Sequence, residues 1–275
     1  MRGFLLLVLF AAAGCAGAER RGGPAVVAHR GASHEAPENT LASVELAWKE
    51  GADAVEVDIF LTRDGEIAVI HDETTKRTTR VDWKVASRTL EELRTLEAGS
   101  WKHSRFAGQR IPTLDEVLAA VPDGKQLLVE IKCGPEVIPR LRRAIEESGK
   151  QPEQVRIIGF GLETVRQVRL DLPRHRVSWL SGWKRDRTSR RLTTVESLVA
   201  AARDAGVHGL SLKADGPLDE EAVRQIREAG LEFHVWTVND EDLALRMAAL
   251  GADSITTDRP AWLTDLLARA SRAKR

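Results

Sequence analysis

Cysteine is scarce in this chain: there are two in 275 residues, at positions 15 and 133. Two thiols so placed exclude a disulfide framework, no intramolecular bridge is expected, and Cys133 is read as a packing residue. A surplus of one charge is also lacking, since 41 acidic side chains are matched by 41 basic ones. That balance removes any general electrostatic case for nucleic acid or for bulk attraction to acidic membranes, so an anionic partner has to be met by local cations. Residues 4–13, behind Met1-Arg2, are apolar but too short to span a bilayer; their length is that of an export signal.

With 43% hydrophobic and 30% charged residues, the chain has the composition of one domain with a sizeable core. Strand-like runs fall at 25–29, 54–58, 127–131, 155–158, 176–180, 208–212, 232–236 and 253–256. Stretches with apolar spacing near 3.6 lie between them, for example 41–49, 114–121, 137–147, 195–205 and 220–228. Gly51, Gly149, Gly206, Gly230 and Gly251 follow such stretches as stop signals. A βα rhythm repeated eight times predicts an α/β fold of the TIM type, a (β/α)8 barrel. The run 66–70 also looks like a strand, but only Thr62-Arg63-Asp64-Gly65 separates it from the second strand region. That leaves no room for a crossover helix, so a hairpin outside the barrel is expected. The segment 72–112, with Trp83, Trp101 and a helix-like 90–97, is expected as a short insertion covering part of the mouth.

The residues that carry chemistry gather at predicted strand ends. Val26-Val27-Ala28-His29 is an apolar, β-branched run that closes on a histidine just before Gly31. In Ala54-Val55-Glu56-Val57-Asp58 the period of two sends both carboxylates to one face of a strand. Close like charges resist joint ionisation, and either a divalent cation or a raised pKa relieves them; solvated charges on an exposed edge strand are the blander alternative. Oxygen ligands point to magnesium, calcium or manganese rather than zinc. Glu130 and Lys132 again share a face of an apolar strand, and Arg30 and Lys132 are the local cations an anion would need. The hairpin is expected to lower His71 toward His29 and the carboxylates.

These residues, His29-Arg30-Gly31, Pro37-Glu38-Asn39-Thr40, Glu56-Val57-Asp58, His71-Asp72, Glu130-Ile131-Lys132 and Trp236-Thr237-Val238-Asn239, resemble in order the pattern of the glycerophosphodiester phosphodiesterases. Single motifs of this length recur by chance; six in fixed order over residues 25–265 do not. The resemblance implies metal-assisted hydrolysis of glycerophosphodiesters to sn-glycerol 3-phosphate and an alcohol. Glu56, Asp58 and Glu130 would hold one divalent cation, Mg2+ or Ca2+. Arg30 and Lys132 would bind phosphate oxygens, His29 and His71 would serve as general acid and base in an order left open, and Trp236 would lie near the glycerol. A phospholipase D-like enzyme acting on lysophospholipid or sphingomyelin, and a non-catalytic secreted binding protein, are the alternatives.

Other features have plainer readings. His103, His175, His208 and His234 are expected as satisfied structural groups, while His34 sits where it could line the mouth. Asn39-Thr40 is read as the cap of the first helix, with Glu38 bracing that loop or the metal site. The basic run Lys184-Arg185-Asp186-Arg187 with Arg190-Arg191 is read as a solvated loop. Ala12-Ala13-Gly14-Cys15 resembles a bacterial lipoprotein cleavage box, although Ala12 stands where leucine is usual; cleavage after Ala16-Gly17-Ala18 is the alternative. The expected organisation is an export signal at 1–18, the barrel at 24–268 and a basic tail at 269–275. The expected location is the bacterial cell envelope, with membrane attachment through a lipidated Cys15, or the periplasm or exterior.

Overall fold

The computed structural model describes residues 23–183 and 193–273. Nine strands follow along the chain: β1 (Ala25–His29), β2 (Ala54–Leu61), β3 (Ile67–Val69), β4 (Gln126–Ile131), β5 (Val155–Gly159), β6 (Arg176–Ser181), β7 (Gly209–Lys213), β8 (Glu232–Trp236) and β9 (Ser254–Thr257). Eight of them pair in parallel in the order β1, β9, β8, β7, β6, β5, β4, β2, and β1 pairs with β2 to close the ring. Helices stand between the strands, so the molecule is the expected (β/α)8 barrel.

β3 pairs antiparallel with β2 across the Thr62–Gly65 turn and takes no place in the ring. β2 is longer than its alternating core because it continues to Leu61 as the first arm of that hairpin. The strands expected at 208–212 and 253–256 are each displaced by one residue, and the 90–97 helix is confined to Leu90–Arg94. The last helix, Pro260–Ala273, runs past the expected boundary at 268.

Period two sorts the barrel residues. Val55, Val57 and Ile59 of β2 join the main core beneath the surrounding helices. Ala54, from the opposite face, packs with Val27, Leu128, Ile158 and Leu180 in a second cluster, against which Trp236 rests. Glu56 and Asp58 share the face of Ala54 and so project into the barrel. The insertion after β3 has a core of its own, with Ile70, Val85, Leu93, Leu96 and Ile111 buried and Trp83 packed on them. Polar ties then fasten it to the loop after β1: Lys102 Nζ donates to the Ser33 carbonyl and Arg105 to that of Glu35.

The four background histidines are structural. His208 Nδ1 accepts from the Val177 N–H, His103 Nδ1 from that of Arg105, His175 Nδ1 lies on the Val155 carbonyl, and His234 Nδ1 meets Ser254 Oγ. Buried Arg156 donates to Ser178 and Glu232, the latter at the amino-terminal end of β8, away from the site.

Candidate active site

His29 ends β1, and the chain turns at once through two left-handed residues, Arg30 with φ 56° and Gly31 with φ 80°. Glycine is required at the second: a Cβ there would lie 2.5 Å from the Ser43 carbonyl carbon and hydroxyl. The turn aims the Arg30 N–H at Glu56 Oε2, 3.0 Å away, and brings Arg30 Nε to 3.3 Å from Asp58 Oδ2. Arg30 Nη1 donates to Glu38 Oε1 at 2.9 Å. Burial opposes the Arg30 charge, but Asp58, Glu38 and Glu56 together raise its pKa.

Thr40 alone caps the helix Leu41–Lys49, accepting from the Ser43 N–H while Ser43 reciprocates. Asn39 does something the cap reading missed. With φ 56°, a conformation asparagine tolerates better than most residues, it donates from Nδ2 to Asp58 Oδ2 at 2.8 Å and accepts from the Asp58 N–H at 3.1 Å. Glu38 braces Arg30 and accepts from Arg77, and among the described residues it makes no hydrogen bond to the acidic cluster.

Glu56, Asp58 and Glu130 are all buried and offer one oxygen each within 4.8 Å of one another. Glu56 Oε1 and Asp58 Oδ1 are buried without a hydrogen-bond donor. Burial first, then Asp58 and Glu130, push the Glu56 pKa well up despite Arg30. Burial and Asp58 likewise raise Glu130, which Lys132 opposes from 2.7 Å. Three converging acids, two of them with an orphaned oxygen, fit one hard divalent cation, whose charge would meet both the repulsion and the missing donors. Lys132 Nζ lies 3.6 Å from Asp58 Oδ1, and its pKa is raised: burial lowers it, but Glu130 and Asp58 outweigh that.

The hairpin delivers His71 as expected. The Ile70 N–H bonds the Asp58 carbonyl at 3.0 Å, and the next residue carries its imidazole to Lys132, with Nε2 3.2 Å from Nζ. Because Lys132 is the donor there, Nε2 accepts and Nδ1 carries the proton toward Asp72 Oδ1, 2.6 Å away. Burial lowers the His71 pKa, helped by Arg30 and Lys132 against Asp58 and Asp72.

His29 has a matching partner that sequence reading overlooked. Asp258, the residue after β9, lies 2.6 Å from His29 Nδ1 and is held by Ser33 Oγ and Asn239 Nδ2. Partial burial works against its charge, yet those hydrogen bonds keep its pKa at about 2. Its position at the carboxyl end of a barrel strand was the available signal. Arg77, on the insertion, was also missed; its guanidinium reaches Asp72 and Glu38.

Trp236 ends the seventh ring strand, donating from Nε1 to the Ser211 carbonyl at 2.9 Å. Exposed Phe160 meets it edge-on at 5.4 Å between centroids, and Lys132 Nζ lies 5.8 Å from the Phe160 ring centre. His34 is exposed, with its N–H on the Asp258 carbonyl. Cys133 is half-buried and packs against the core, as expected. The basic run 184–191 and Cys15 lie outside the described residues.

The family profile described as Glycerophosphoryl diester phosphodiesterase family matches residues 29–262. A glycerophosphodiester phosphodiesterase of Caldanaerobacter subterraneus is 35% identical over 249 residues, covering 88% of this chain and 97% of that protein. One from Bacillus subtilis is 34% identical over 85% of this chain and 83% of its own length. Among solved structures, an Oleispira antarctica phosphodiesterase in complex with the product sn-glycerol-3-phosphate superposes with a TM-score of 0.80. It is 28% identical, with 89% of this chain and 97% of that one covered. On fold, motif order and extent of match alike, this chain belongs to the glycerophosphoryl diester phosphodiesterase family.

Proposed function

We infer that this protein is an enzyme that hydrolyses glycerophosphodiesters to sn-glycerol 3-phosphate and an alcohol. The observation that carries this reading is a buried acidic triad flanked by two carboxylate-backed histidines and two cations at one barrel rim. The product named in the Oleispira antarctica complex supports the same substrate class.

Glu56, Asp58 and Glu130 would hold one divalent cation, Mg2+ or Ca2+. Bound there, it supplies Lewis-acid neutralisation of a phosphate oxygen. Arg30 and Lys132 bind the remaining phosphate oxygens; Arg30 keeps its guanidinium in place through Glu38. Burial lowers the His71 pKa and Nε2 is its accepting nitrogen, so it takes the proton of the attacking hydroxyl in exchange for its contact with Lys132. His29, steadied by Asp258, gives a proton to the departing alkoxide as the phosphorus–oxygen bond breaks. Trp236, fixed by its own N–H and by Phe160, presents an apolar face to the glycerol carbons.

The test is release of glycerol 3-phosphate from glycerophosphocholine and glycerophosphoethanolamine by purified protein, with and without a chelator. Release restored by Mg2+ or Ca2+ and abolished in His29→Ala supports the reading. Cleavage of lysophospholipid or sphingomyelin alone would replace it with the phospholipase D-like alternative, and no cleavage of any of them would overturn it.

For residues 1–18 the proposal is an export signal, with Cys15 lipidated in the cell envelope. Mass spectrometry of the mature amino terminus decides it: a lipid-modified Cys15 supports attachment, and an unmodified terminus beyond residue 18 supports simple secretion.

A further inference from the structure

Arg77 lies on the short helix Lys76–Thr79 at the start of the insertion, outside the barrel and away from any strand end. Its three guanidinium nitrogens are all engaged. Nε donates to Asp72 Oδ2 at 2.7 Å, while Nη1 and Nη2 donate to the two oxygens of Glu38 at 2.6 and 2.8 Å. Each carboxylate turns its other capacity inward. Asp72 Oδ1 meets His71 Nδ1 at 2.6 Å, and Glu38 Oε1 also accepts from Arg30 Nη1 at 2.9 Å. One side chain is therefore a single carboxylate removed from both a catalytic imidazole and the phosphate-binding guanidinium.

We propose that Arg77 is a positioning residue that couples the two halves of the site, holding Asp72 against His71 and Glu38 against Arg30. The inference rests on the roles given above to His71 and Arg30. The geometry requires a planar, forked donor: an ammonium is a point charge and cannot span two carboxylates with three directed N–H groups. The electrostatics agree. Glu38 is lowered despite its burial by hydrogen bonds and charge from Arg77 and Arg30, and Asp72 despite its burial to about 2 by Arg77 and His71. Both carboxylates thus stay ionised and oriented over the working range of pH. Arg77 also makes the insertion a part of the catalytic apparatus, since a change in how that segment docks is felt at His71 and Arg30 together.

The experiment is a double-mutant cycle on the full chain with glycerophosphocholine, supplied with Mg2+ or Ca2+, reading kcat and KM separately. Arg77→Met should lower kcat/KM by about tenfold to a hundredfold, the range for losing a group that orients a functional side chain. Asp72→Asn should reproduce the fall in kcat and Glu38→Gln the rise in KM. In a chain already carrying both, Arg77→Met should cost less than about twofold, because its partners are gone. Arg77→Lys should recover only part of the loss, and thermal melts should keep every variant folded at the assay temperature. Arg77→Met with kcat/KM within twofold of the natural chain, a full loss persisting in the Asp72→Asn, Glu38→Gln background, or full recovery by Arg77→Lys would each overturn the proposal. His71→Ala separates this from the reading beneath it. If that variant stays active, the assigned chemistry fails; if it is inactive while Arg77→Met is not, only the role of Arg77 fails.

Discussion

Asn39 and Asp58 exchange two hydrogen bonds across 19 residues of sequence, Nδ2 to carboxylate at 2.8 Å and backbone N–H to Oδ1 at 3.1 Å. The pair fixes which Asp58 oxygen faces the triad, leaving Oδ1 without a hydrogen-bond donor. Asn39→Gly tolerates the left-handed backbone while deleting both bonds, so it isolates the side chain's contribution. We expect cation affinity, read by calorimetric titration with Mg2+ or Ca2+, to fall about tenfold to a hundredfold. Unchanged affinity would show that Asp58 needs no such support.

The triad itself predicts a stability signature. Three buried acids repel one another without a cation, so a bound divalent ion should raise the melting temperature. At a free concentration about a hundred times Kd the gain is roughly 2.7 kcal/mol. Glu56→Gln should make the cation-free protein more stable, by removing one buried like charge, while abolishing the cation-induced rise. A variant that still responds fully to the ion would place the cation elsewhere.

Gly31→Ala should be severely destabilising. The residue has φ 80°, and the new methyl would lie 2.5 Å from backbone carbon of Ser43, which is locked in a helix cap. Strained backbone alone costs about 1–3 kcal/mol, and the overlap adds to it. Denaturant titration measures the loss; a change below about 1 kcal/mol would mean that the β1 turn relaxes at little cost.

Asp258→Asn should leave the fold intact and lower kcat by roughly a hundredfold, within the span of general acid–base catalysis. The amide keeps the volume but loses the charge that steadies His29 at 2.6 Å. Steady-state kinetics with circular dichroism as a control distinguishes this from unfolding, and a kcat within twofold of the natural chain would remove Asp258 from the mechanism.

His208 and the paired carboxylates Asp72 and Asp258 should each withdraw stability as pH falls, in two separate windows, while the raised Glu56 and Glu130 act in the opposite sense. Burial first, then the cations of Arg169 and Arg176, bring the His208 pKa from 6.5 to about 4. Between these values the unfolded chain binds a proton that the folded one excludes, so stability falls as pH drops from 6.5 to 4. Asp72 and Asp258, at about 2 against an ordinary 3.8, contribute stability above pH 3.8 that is lost as pH falls toward 2. Glu56, Glu130 and His71 titrate alike in the natural chain and in His208→Gln, so the difference between their thermal melts in chelator should isolate the His208 share, growing in favour of the variant as pH falls from 6.5 to 4. A difference that does not change between pH 6.5 and 4 would remove His208 from the pH dependence.

Much was decided by local pattern. The βα rhythm depends only on periodicities of 3.6 and 2 within short windows, and so does the placing of Glu56 and Asp58 on one face of β2. His29 at a strand end and His71 beyond a hairpin follow from turn chemistry a few residues long. The partners that orient these groups were not legible in the same way. Asp258 is 229 residues from His29, and Arg77 is 39 from Glu38. Neither distance is bridged until the ring closes through β1 and β9 and the insertion docks on the loop after β1. Asn39 shows the limit most sharply, because an asparagine before a helix suits a cap and a long-range bond equally well. Sequence by itself determined the barrel, the acidic pair and the histidines, since each is written in neighbouring residues. Which side chains hold them in place was decided only by tertiary structure, because such a bond forms where folded loops bring a donor and an acceptor within about 3 Å.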